Sequence, residues 1–143
     1  MKKRIFMICT VRIADSADVE FQKNYVKQLR DAGYCVHWPP ENTNQNDFRG
    51  GGLFICRANF RAIFRAREIH VIFNPLSFGT HFDLGMVFAI LELIRCSSFL
   101  RWLIPPKKII LANPQVVEEQ IIKEKASGIK KSFAMVLANL AEK

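Results

Sequence analysis

The stretch Ile69-His70-Val71-Ile72-Phe73-Asn74-Pro75-Leu76-Ser77-Phe78-Gly79-Thr80-His81-Phe82-Asp83-Leu84-Gly85-Met86 changes character twice. Ile69 to Phe73 is a short, mostly apolar run of the kind that forms a strand buried on both faces. Asn74-Pro75 turns the chain, and a helix follows from about His81 to Arg95. A buried strand that turns directly into a helix is one step of a parallel sheet with helices packed on its faces.

Reading outward in both directions gives the same step repeatedly. Arg4 to Thr10 reads as a buried first strand, and Ser16 as the N-cap of a helix with Phe21, Tyr25, Leu29 and Ala32 on one face. Gly33 closes that helix, and Tyr34 to His37 is a short second strand ended by Pro39-Pro40. Glu41 to Gly52 is polar and finishes in three glycines, so it reads as a flexible loop before a helix over Leu53 to Ala66. Beyond Arg95 a loop ends in Pro105-Pro106, and Lys108 to Ala112 is a fourth strand. The last helix carries Ile129, Phe133, Val136, Leu137 and Leu140 at a helical period. The pattern predicts a three-layer α/β/α sandwich, flavodoxin- or Rossmann-like, on a parallel sheet of four to five strands. No repeat, linker or composition break divides the 143 residues, so residues 1–143 read as one domain.

Half the residues are hydrophobic and 24% charged, which is globular composition rather than disorder. The net charge of +8 suits anionic ligands, and equally suits solubility. Arg57, Arg61 and Arg65 form one basic stripe on a helix and read as a solvated face. No nucleic-acid motif of fixed spacing appears, so no nucleic-acid partner is expected. Cys9, Cys35, Cys56 and Cys96 make no C-x-x-C pair, and His37, His70 and His81 complete no zinc pattern. Reduced, mostly buried thiols, no metal and a cytoplasmic location follow as expectations. The apolar run at Ile5 to Cys9 is too short for a signal peptide, and charged residues interrupt Phe82 to Ile104, so no membrane partner is expected.

In such sheets ligands bind beyond the carboxyl ends of the strands, near the switch point. That directs attention to Thr10 to Ser16, Trp38 to Gly52 and Asn74 to Asp83. Within the last, Gly79 permits a tight turn or close approach of a ligand to the backbone. Thr80 and Asp83 have the T-x-x-D spacing of a capping variant. At that position the first-turn amides and the helix dipole would hold Asp83 ionised, or bind a substrate phosphate. The spacing alone is also met by a plain helix cap.

Ser77-Phe78-Gly79-Thr80-His81-Phe82-Asp83-Leu84-Gly85-Met86 resembles the G-[TVS]-x-[FY]-E-[LI]-G signature of nucleoside 2-deoxyribosyltransferases and the related deoxynucleoside monophosphate N-glycosidases. The similarity extends to Arg4 to Arg12, to Ala32-Gly33-Tyr34-Cys35-Val36-His37, and to Asn59 to Ala66. The resemblance implies cleavage or transfer at the N-glycosidic bond of a (deoxy)nucleoside or nucleotide. In that family the motif's Glu attacks C1′ of the sugar, and water or a second base resolves the glycosyl ester. Carried over by position, the nucleophile is Asp83. It implies no cofactor, and a homodimer or higher homo-oligomer. Two departures stand out. Asp places its carboxylate about 1.5 Å further back than Glu, a displacement that can cost on the order of a hundredfold in rate. Where relatives carry an Asp after the alanine before the third strand, this chain has Arg67 and then Glu68.

The resemblance also offers supporting residues, each with a plainer alternative. Asp47, in the polar loop, is a candidate to contact the ribose or protonate the leaving base, or is a solvated loop residue. Thr10 ends the first strand and Arg12 follows it; Arg12 suits a 5′-phosphate or the open surface. Ser77 is placed to bind phosphate or ribose, or to shape the turn. His81 is a candidate general acid, or a helix-start residue facing water. Trp38 is placed to stack on a base or to pack beside Pro39. Gly79, Thr80 and Met86 complete the expected substrate-binding set, and His70 reads as structural. A non-catalytic nucleotide sensor of the same fold is the alternative, and a flavodoxin-like redox domain a weaker one.

Overall fold

Along the first strand the side chains alternate between two cores, and this divides the molecule into layers. The computed structural model describes residues 2–46 and 50–141. Strand β1 (Arg4–Ile8) sends Phe6 and Ile8 to one side of the sheet and Ile5 and Met7 to the other. Parallel strands β2 (Cys35–His37) and β3 (Glu68–Val71) flank it, and β4 (Lys108–Leu111) pairs with β3, giving the order β2-β1-β3-β4.

On one face Phe6, Ile8, Ile69, Val71 and Ile109 meet Ile63 of α3 (Leu53–Arg65), Val87 and Ile90 of α4 (Phe78–Cys96), and Leu137 of α7 (Phe133–Ala141). On the other, Ile5, Met7, Cys9 and Val36 meet Tyr25, Val26 and Leu29 of α1 (Ser16–Asp31). The fold is therefore a three-layer α/β/α sandwich on a four-stranded parallel sheet. The two connections that leave β1 and β3 diverge beside each other, and this switch point opens at the carboxyl ends of both strands.

Several boundaries differ from the sequence reading. Asp15, rather than Ser16, caps α1. Its carboxylate accepts from the Asp18 amide at 2.8 Å while Asp18 reaches back to the Asp15 amide at 3.3 Å. Tyr34 lies outside β2. Pro39-Pro40 end β2 and at once open the short helix α2 (Pro39–Asn42), because a missing N–H costs nothing in a first turn. The segment before Pro105-Pro106 contains α5 (Ser98–Leu103). Ser97 ends α4 and its hydroxyl caps α5. A further helix, α6 (Pro114–Ala126), precedes α7; it buries only Val117 fully and so shows little apolar stripe. Ile129 lies outside α7. Among the cysteines only Cys9 is buried; Cys56 is half-buried, and Cys35 and Cys96 are exposed.

One side chain ties the edge of the sheet to the segment that leads into α4. Asn113 accepts from the Phe73 amide at 2.7 Å and donates to the Phe73 carbonyl at 2.9 Å, extending the β3–β4 pairing past Val71. Both Phe73 groups are buried and would lose these partners together. Asn113→Ala is expected to lower unfolding free energy by about 2–3 kcal/mol, read by urea denaturation; an unchanged midpoint would show the clip to be idle.

Candidate functional site

At the switch point the chain leaves a cavity of about 440 Å³. Its walls come from the end of β1 (Cys9, Thr10, Arg12), from Gln45, Gly51 and Gly52 before α3, from Asn59 of α3, and from Ser77, Gly79 and Asp83. The size is ordinary for a small-molecule site. Ile13, Leu76, Phe78 and Phe82 also line it, and Phe78 is 92% exposed, so the rim is apolar and open.

Helix α4 begins earlier than the sequence suggests, and this changes what surrounds Asp83. Ser77 is the N-cap, its hydroxyl accepting from the Thr80 amide at 3.2 Å. Asp83 therefore lies in the second turn and caps nothing. The T-x-x-D reading and the expectation of dipole-favoured ionisation are corrected together. Asp83 is buried, and among the described residues its hydrogen-bond partner is Asn59, whose Nδ2 donates at 3.2 and 3.4 Å to its two oxygens. Burial pushes the carboxyl up to about 6, with Asn59 pulling the other way. At neutral pH it is still mostly ionised, yet more basic than an ordinary aspartate. Cys9 lies close by; burial pushes its thiol up to about 12, so it stays neutral.

Asn59 is in turn held by the Thr43 hydroxyl, which donates to its Oδ1 at 3.0 Å, and Thr43 Oγ1 pairs with His37 Nε2 at 2.9 Å. Thr10 presents a buried hydroxyl with no partner among the described residues, at the end of β1 where it lines the cavity. Gly79 is helical without a positive φ, and an added Cβ would meet only Ser77 Oγ, at 4.0 Å. A tight turn is thus not why glycine stands there.

Thr10, Arg12, Ser77, Gly79 and Asp83 are brought together, but other expected site residues are not. His81 faces the opposite side of α4. Its Nδ1 bonds to the Ser77 carbonyl at 2.8 Å, its ring sits between Phe73 and Phe133, and it lines a separate hollow of about 210 Å³ between α4 and α7. Trp38 is buried against the α1 side, donating to Gln22 Oε1 at 3.1 Å, so packing is its role. Thr80 is fully buried behind the cap, and Met86 packs against the main core. His81 is about 200° around the helix from Asp83 and so faces away from the cavity, while Thr80 and Met86 turn toward the core. Asp47 lies outside the described residues. His70 is structural as read, bonded to Tyr25 and Glu68.

Gln45 and the apolar rim fall within the segments marked by the sequence reading, though no residue there was singled out for that role, and Asn59 was given no role in the site. For Asn59 a signal existed: it is a polar residue between Ile55 and Ile63, four apart on either side, on the inward face of α3. No family model, curated protein or solved structure matches the chain. Among the described residues no cluster of three metal-ligating side chains occurs, and no helix is long and apolar enough to cross a membrane.

The raised Asp83 carboxyl affects stability. Between its ordinary 3.8 and about 6 the folded chain binds a proton that the unfolded chain has released, so stability falls as pH rises through that window. Asp83→Asn removes this cost. The variant is expected to be more stable than the parent at pH 7.5, by up to roughly 3 kcal/mol, with the gain gone near pH 3.5. Thermal melts at both values check it, and a variant less stable at pH 7.5 would contradict it.

Proposed function

We propose that the chain cleaves or transfers at the N-glycosidic bond of a (deoxy)nucleoside or nucleotide, with Asp83 as the carboxylate nucleophile. The observation that carries this reading is a buried, predominantly ionised carboxylate facing a ligand-sized cavity, hydrogen-bonded to one neutral amide. Such a group favours positive charge developing beside it, as at C1′ of an oxocarbenium-like transition state. The motif around Asp83 supplies the choice of chemistry.

In the first step an Asp83 oxygen bonds to C1′ as the C1′–N bond breaks, and the electron pair leaves with the base. His81 lies on the far side of α4, so the leaving nitrogen takes its proton from water at the open rim. In the second step water or the nitrogen of another base bonds to C1′ as the ester C1′–O bond breaks; its proton passes to solvent at the rim and the carboxylate is freed. The Ser77 hydroxyl at the cavity wall suits the sugar. The Ile13, Leu76, Phe78 and Phe82 rim suits the face of a base. Arg12 and the first-turn amides at Gly79 suit a 5′-phosphate. A second copy belongs to this reading, and α4 and α5 leave large apolar side chains for it to cover, among them Leu93, Phe99 and Trp102, the last 81% exposed. A nucleotide sensor is the competing reading, favoured by the short Asp side chain and the distant His81.

Incubation with deoxynucleosides and deoxynucleotides, with and without an acceptor base, is expected to release or exchange free base by chromatography. Asp83→Ala should lower the rate by at least a hundredfold, and the parent rate should fall as pH drops through about 6. Thermal stabilisation by a nucleotide that is recovered intact would favour the sensor instead.

A further inference from the structure

We propose that His37, Thr43 and Asn59 are positioning residues that form a directional hydrogen-bond relay to Asp83, fixing the Asn59 amide so that its N–H faces the carboxylate. Only the kinetic consequence rests on the reading of Asp83 as nucleophile. The three bonds are His37 Nε2 to Thr43 Oγ1 at 2.9 Å, Thr43 Oγ1 to Asn59 Oδ1 at 3.0 Å, and Asn59 Nδ2 to Asp83 at 3.2 Å.

The direction follows from what each atom is able to donate. An ionised carboxylate only accepts, so Asn59 must present its NH₂ there and turn its carbonyl to Thr43. Thr43 must then spend its one hydrogen on Asn59 Oδ1, which leaves its oxygen to accept. His37 must therefore carry its hydrogen on Nε2. The amide could otherwise rotate by half a turn and set its oxygen against the carboxylate, and the Thr43 hydrogen is what selects against that.

The surroundings keep each member in its assigned state. Thr43 and Asn59 are buried, so water does not compete for their bonds. The His37 ring stacks on Phe6 of β1 with centroids 5.2 Å apart, and burial lowers its pKa, so it stays neutral. Arg4, Arg61 and Arg65 line the cleft beside it and offer no anion. Among the described residues, the other titratable groups of the Asp83 cavity are the neutral Cys9 thiol and Arg12. The relay thus links β2, the loop after α2, α3 and α4 through side chains that the two-step chemistry does not itself use.

Carbon-13 NMR titration of the Asp83 carboxyl, assigned by its loss in Asp83→Asn, tests the relay without substrate. Thr43→Val should raise the Asp83 pKa by about one unit, and Thr43→Ser should restore it. An unchanged pKa in a folded Thr43→Val protein overturns the relay. Nitrogen-15 shifts of His37 in the unaltered protein give an answer that needs no variant: the Nε2–H tautomer is expected, and the Nδ1–H tautomer overturns the relay. If base release occurs, its acid limb should move with the Asp83 pKa in Thr43→Val. A shifted pKa with no turnover in any variant would refute the proposed reaction while leaving the relay standing.

Discussion

A carboxylate held out of water beside one neutral amide is the constraint on which the site depends. Among the described residues no cation pairs with Asp83, and its environment is set by burial and by the orientation of Asn59. Keeping it there requires three things at once. The sheet must open a cavity between diverging connections, α3 and α4 must lie close enough for a short amide to reach, and the start of α4 must be fixed. The Ser77 cap and the Asn113 clip on Phe73 meet the last requirement from opposite ends of the same segment.

The layers were legible because strands buried on both faces leave a strong trace. Ile5 to Cys9 and Ile69 to Phe73 are nearly continuous apolar runs, and their parallel pairing follows from the helices between them. Helix starts were harder. Ser77 and Thr80 are both acceptable caps by residue type, and three residues' difference in the start of α4 decides whether Asp83 lies among the free first-turn amides or beyond them. The later start gives Asp83 the wrong electrostatic surroundings. His81, Thr80 and Met86 fail to line the site for a separate reason: neighbours in a motif do not share one face of a helix. Helix α6 left little periodic signal because it buries so few residues.

Position in the sheet was therefore readable where partnership was not. Asp83 was identified from the motif around it, but Asn59 lies twenty-four residues away on another helix, and nothing local in the sequence announces the bond. Trp38 shows the reverse case. An aromatic residue after a strand end suggested stacking, whereas its indole N–H finds Gln22 of α1 and turns the ring into the core. A polar handle on a large ring is satisfied by whichever acceptor the fold brings near.

The start of α4 is a partition with a space on each side: the Asp83 cavity on one, and the smaller hollow by His81 and Gly85 on the other. The cap and the clip hold that partition still, so one stretch of helix sets the shape of both spaces. A side chain added at Gly79 would fill the first and one added at Gly85 the second, and neither change reaches the strands.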